Sequence, residues 1–134
     1  MRKISCFVLI FLMIMMSGCK MVKVENVRVE DLDYTVVRDR DIPETLMTMI
    51  QEKKAEPFEL TYEYEGYLYV VKGYGKQETG GYSISVSDLY LGKNAIYIEM
   101  NLVGPETTEQ KAEGASYPYI VLKLENRTEP VYFQ

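Results

Sequence analysis

Residues 58–74 read FELTYEYEGYLYVVKGY, and their alternation decides the fold. Phe58, Leu60, Tyr62 and Tyr64 take every second position, with Glu59, Thr61, Glu63 and Glu65 between them. A period of two with aromatic and branched side chains is the mark of a strand that packs one face and wets the other. Gly66 then permits a tight turn, and residues 67–74 return as the second arm of a hairpin. Working outward, residues 82–91 and 95–103 form a second hairpin split by Gly92-Lys93-Asn94, which Gly104-Pro105 ends. Residues 119–124 make a further strand after Pro118, and Val131-Tyr132-Phe133 a short closing one. Upstream, Val22, Val24, Val27 and Val29 alternate around Asn26, and Asp33-Tyr34-Thr35-Val36-Val37 resumes the pattern.

One helix interrupts the strands. Asp41-Ile42-Pro43-Glu44 carries a capping residue, a proline suited to a first turn and a glutamate three positions after the aspartate, so a capping box is expected there. Pro43 disfavours a helical Ile42, so the boundary can slip by a residue or two. Ile42, Leu46, Met49 and Ile50 share one stripe with Met47 beside it, and Lys53-Lys54 suit the negative end of the helix dipole. That stripe is expected to cover a sheet. Residues 104–116 hold no large apolar side chain and read as a loop. The expected fold is α+β: a mainly antiparallel sheet structure of about seven strands, because the connections are short, with one covering helix in a single compact domain.

The start of the chain gives an address. Arg2 and Lys3 precede a largely apolar run over residues 4–16, followed by Met16-Ser17-Gly18-Cys19. The run is shorter than the roughly 20 residues a spanning helix requires, so 1–18 reads as a signal peptide. Ser17-Gly18-Cys19 resembles the lipobox of bacterial lipoproteins, which implies acylation of Cys19, a short tether over 19–26 and one domain over 27–134. The implied location is the extracytoplasmic face of a bacterial cell membrane, since two acyl chains suffice for stable anchoring. Removal of Arg2 and Lys3 leaves 13 basic against 20 acidic side chains, a net of −7. A domain so acidic is repelled by phosphate backbones, which excludes nucleic acid as a partner.

Several chemistries are excluded by residue type. The chain has no histidine, and its two cysteines, Cys6 and Cys19, go to the signal and the lipid. Disulfides, histidine-assisted nucleophiles and zinc sites are therefore not expected. Gly73 and Gly75 lack the third glycine of a dinucleotide fingerprint, because Glu78 stands there. Gly75 and Gly80 lack the lysine of a P-loop, because position 81 is glycine. Ser83 lies in no S-x-x-K arrangement. Asp31 with Asp33, and Asp39 with Asp41, lack the spacing of a calcium loop. No catalytic residue, metal ligand or cofactor is expected beyond the lipid on Cys19.

Two segments are interaction candidates. Thr79-Gly80-Gly81-Tyr82 can turn sharply through its glycines and lets a second chain approach, and Tyr is favoured at interfaces. Tyr117-Pro118-Tyr119 places a proline at a strand entry, where its missing N–H is tolerated. If the two adjoin, they form one rim of Tyr, Pro and Gly. Twelve tyrosines stand in the chain, and Tyr62, Tyr64, Tyr67 and Tyr69 either pack across strands or, if several rings stay open on one face, form an aromatic platform.

Residues 73–84, GYGKQETGGYSI, with residues 117–123, YPYIVLK, and Val131-Tyr132-Phe133, resemble the PrcB C-terminal domain family over residues 58–133. The resemblance implies a secreted or lipid-anchored, non-enzymatic domain that accompanies an extracellular protease and supports its assembly or stability. The leading expectation is a lipid-anchored protein-interaction module, with a protein partner that is a secreted or membrane protease in the family's namesake. The alternatives are a loop-inserting protease inhibitor of the chagasin kind and a cell-wall glycan-binding lipoprotein.

Overall fold

The computed structural model describes residues 27–109 and 111–134. The expected signal peptide over 1–18, the expected lipidation of Cys19, the expected tether and the alternation at Val22 and Val24 fall outside the described residues. Among the described residues, eight strands form two four-stranded sheets, with one helix and one 3-10 turn. In chain order these are β1 (Glu30–Asp31), β2 (Thr35–Val36), the 3-10 turn (Asp39–Asp41), α1 (Glu44–Lys53), β3 (Pro57–Tyr64) and β4 (Tyr67–Tyr74). They continue with β5 (Ser83–Leu91), β6 (Ile96–Val103), β7 (Tyr119–Glu125) and β8 (Val131–Phe133). The outer sheet has the order β1-β5-β6-β8 and the middle sheet β2-β7-β4-β3.

The layers follow from side-chain parity. On β4, Leu68 and Val70 point to the outer sheet and join Leu122, Ile96 and Ile98 in the larger core. The alternate residues Tyr69 and Val71, with Val121 of β7, point the other way and meet Ile42, Leu46 and Ile50. The molecule is thus outer sheet, middle sheet and helix. Both inner strands of the middle sheet are buried on two sides, which is why YLYVV in β4 and YIVL in β7 read as near-continuous apolar runs. Leu46 and Ile50 are fully buried, and each such side chain contributes about 1.5–3 kcal/mol on leaving water. Without that docking, a ten-residue helix is marginal in water.

The β3–β4 hairpin keeps full register from Pro57↔Tyr74 to Tyr64↔Tyr67. Its two-residue turn has positive φ at both Glu65 (50°) and Gly66 (81°), the geometry whose twist matches the flanking strands. The β5–β6 hairpin closes through Gly92 N–H donating to the Ala95 carbonyl at 2.8 Å. A bulge interrupts its ladder between Val86 and Asp88.

Three details refine or correct the sequence reading. The strands number eight rather than about seven, because the N-terminal alternation breaks into two two-residue strands at the sheet edges. The capping box does not form: Asp41 ends the 3-10 turn, Ile42 is extended at φ −75°, ψ 130°, and α1 begins after Pro43 with no side-chain cap. The steric demand of Pro43 on the residue before it accounts for the shift. Finally, β8 pairs in parallel with β6, since the intervening β7 belongs to the other sheet.

Candidate functional site

The ends of β4 and β6 and the starts of β5 and β7 meet at one pole of the molecule. There the two candidate segments are joined along their backbones. Gln77 and Ser116 exchange hydrogen bonds, with Gln77 N–H donating to Ser116 O at 2.8 Å and Ser116 N–H to Gln77 O at 3.0 Å. Gly80 N–H donates to the Ala112 carbonyl at 2.9 Å, and the Ser116 hydroxyl donates to the Thr79 carbonyl at 2.7 Å. Tyr74 N–H donates to Pro118 O at 3.0 Å, which continues the β4–β7 ladder into the loops.

The two glycines are needed for different reasons. A Cβ on Gly80 would lie 2.8 Å from Ala112 Cβ, so the loops touch only because that side chain is absent. Gly81 has φ +88°, which L side chains rarely adopt. Gly81 is exposed, whereas Tyr82 is half-buried with its ring near Gly104. Tyr117 is the most open ring of the seven candidate residues, at 37% exposure, and Lys54 Nζ lies 5.4 Å from its centroid. That contact ties the end of α1 to the rim.

Tyr119 sits just beneath this surface. Its hydroxyl donates to Asp39 Oδ1 at 2.8 Å, beneath the 3-10 turn, and its ring packs against the helix-side core. Burial first, and then the bond to Asp39, push its phenol up to about 12. Ala112 and Ser116 were missed by the sequence reading, and the small-residue run 112–116 that contains them was the available signal. Thr79, Gly80, Gly81, Tyr82, Tyr117 and Pro118 thus come together at one pole, with Tyr119 just inside it.

Residues 68–125 match the family model described as PrcB C-terminal. Over these residues the chain is similar to the PrcB C-terminal family. The matched segment comprises β4, β5, β6 and β7, the two inner strands of each sheet, and both loops of the rim. Outside the matched residues are α1, β3, β8 and the short edge strands. PrcB C-terminal is not a known catalytic family, and among the described residues no cluster of three potential metal ligands occurs. No curated protein and no solved structure matches the chain.

The tyrosines of the first hairpin occupy the opposite pole. Tyr62 and Tyr64 stack at 6.2 Å between centroids, and Lys123 Nζ lies 3.9 Å from the Tyr67 centroid. Tyr64 and Tyr67 are each about two-fifths exposed, but Tyr69 is buried. An aromatic platform is therefore limited to two partly open rings, with one face of Tyr67 already taken by Lys123.

The N-terminal segment also enters at that opposite pole. β1 pairs with the last two residues of β5, Tyr90 and Leu91. Arg28 fixes the entry: its guanidinium bonds Asp31 and makes two bonds to Asp88, at 3.1 and 2.5 Å, while lying 4.1 Å from the Tyr90 centroid. Hydrogen bonding from Arg28 holds the Asp88 carboxyl below its ordinary range. Arg127 adds an ion pair to Glu30 at 2.8 Å.

Proposed function

We propose that this protein is a non-enzymatic, lipid-anchored protein-interaction module on the extracytoplasmic face of a bacterial membrane, and an accessory or stabilising subunit of an extracellular protease complex. One observation carries the reading: the chain enters the fold at the pole opposite the rim. β5 runs from the rim at Ser83 to the entry at Leu91, and nine residues in a strand span roughly 30 Å. With acylated Cys19 at the membrane, the eight residues to Val27 keep that entry pole near the lipid, and the rim faces outward, where a secreted partner is met.

The test is site-specific photo-cross-linking in intact cells. A photoreactive phenylalanine at Tyr117 is expected to yield a discrete protein adduct, while the same group at Glu99, exposed on the outer sheet, yields none. Equal adducts at both positions, or none at Tyr117, would overturn the rim assignment. The anchor is tested separately, because Cys19→Ser is expected to abolish lipid labelling and release the protein from membranes.

A second reading is supported by the same clustering at one pole: a protease inhibitor that inserts the joined loops into a cleft. Slowed turnover of secreted cysteine or serine proteases by micromolar soluble domain starting at Lys20 would favour it over the accessory role.

A further inference from the structure

The longest uninterrupted open strand edge among the described residues is β3. Its eight residues pair with β4 along their whole length, and no described strand lies on the other side. The outward N–H and C=O groups of such a strand form a ready template for another chain. The other edge strands are short, and the open stretches beside them are shorter than β3 or broken. β1 and β2 are two residues long, β8 is three, and the uncovered part of β5 carries the bulge between Val86 and Asp88.

The side chains of β3 define what can be added. On the helix side, Phe58, Leu60 and Tyr62 are half-buried, so a neighbouring strand would cover apolar surface that water now touches. On the other side, Glu59, Thr61 and Glu63 are exposed. Glu59 has Lys72 Nζ at 3.6 Å, whereas Glu63 has no ion pair among the described residues. An added strand must therefore alternate apolar residues with Lys or Arg. A second copy of β3 is disfavoured: antiparallel pairing about Thr61 would set Glu59 of each copy against Glu63 of the other, and like charges directly opposite destabilise a sheet.

We propose that β3 is a docking edge for an extended segment of a protein partner in which basic and apolar residues alternate, recruited by strand addition. This surface is distinct from the rim. Failure of cross-linking at Tyr117 and failure of docking at β3 are therefore separate outcomes.

The experiment uses the full chain in detergent micelles and three synthetic peptides: alternating lysine and valine, the same composition shuffled, and alternating glutamate and valine. Amide hydrogen exchange reads the contact, and a titration reads the affinity. The alternating lysine peptide is expected to protect residues 57–64. Glu63→Lys leaves the Glu59–Lys72 pair intact and should weaken that peptide severalfold. Glu59→Lys with Glu63→Lys should weaken it roughly tenfold or more and admit the glutamate peptide instead. Equal protection by the shuffled peptide, protection located elsewhere, or binding of no peptide would overturn the proposal and leave the acidic edge as a guard against aggregation. Self-association through residues 57–64 in the wild-type chain would also overturn it, by naming a second copy as the occupant.

Discussion

The ring of Phe58 lies over the α-carbon of Gly73, its cross-strand partner, so closely that a Cβ on Gly73 would fall 2.2 Å from Phe58 Cε1. The glycine is what allows β3 to lay its first aromatic ring flat against β4 under α1. Gly73→Ala is expected to destabilise the fold by about 1–3 kcal/mol, the usual cost of overpacking. In a Phe58→Ala background the same change should cost much less, because the obstructing ring is gone. Chemical denaturation of the four proteins as a double-mutant cycle measures the coupling, and additive effects would contradict the contact.

Ser116→Ala removes the hydroxyl bond to the Thr79 carbonyl and should cost about 0.5–1.5 kcal/mol. Gly81→Ala forces a side chain into positive φ and should cost about 1–2 kcal/mol. Both are expected to raise hydrogen exchange in residues 77–82 and in the facing 112–116 segment together. Exchange rising on one side only would show that the loops are not held as a pair.

Leu46→Ala empties a site sealed between α1 and the middle sheet, and is expected to cost about 2–5 kcal/mol. Thr45→Ala, one position along on the exposed face, should stay within about 0.5 kcal/mol of the wild type. Thermal or denaturant unfolding separates the two. Similar losses would mean that α1 does not dock through this stripe.

Acid should loosen the N-terminal entry before the core. Asp88 titrates below its ordinary range when folded, so its contribution is present above the usual carboxylate range and is lost as pH falls through the depressed value. The reporters are Val29 N–H, bonded to Leu91 O at 2.7 Å, and Leu32 N–H, bonded to Leu89 O at 3.2 Å. Asp88→Asn should speed their exchange at neutral pH and remove its acid dependence, with Leu122 and Ile98 amides unchanged.

At the alkaline end, Tyr119 should ionise at about 12, above the ordinary tyrosine range. A raised pKa gives stability that is complete below the unfolded value near 10 and lost as pH climbs through the folded one. Phenolate absorbance should lose a late component in Tyr119→Phe, and the alkaline loss of stability should be shallower in that variant. An unchanged titration would place the hydroxyl away from Asp39.

Much of this was legible locally. The β3–β4 hairpin could be read from Glu-x-Glu alternation and Gly66, yet the positive φ of Glu65 could not, because it is imposed by the two-residue turn between paired strands. The Gly80-Gly81 pair could be read as a turn. That Gly80 also yields space to Ala112 depends on a partner 32 positions away, about which no local pattern informs. Tyr119 was readable as a strand-entry tyrosine, but its alternation could not say that the covering layer on its side is the 3-10 turn carrying Asp39.

By itself, the sequence determined where strands and helix run, which residues share a face, and which catalytic and cofactor motifs are missing, because those follow from side-chain period and residue type. The tertiary structure alone decided that β4 and β7 are covered on both sides, that β8 joins β6 in parallel, and that the rim and the N-terminal entry stand at opposite poles. Alternation fixes the side on which a residue lies, but what covers that side is set by closing long loops against the entropy they lose, and only the packed chain settles it.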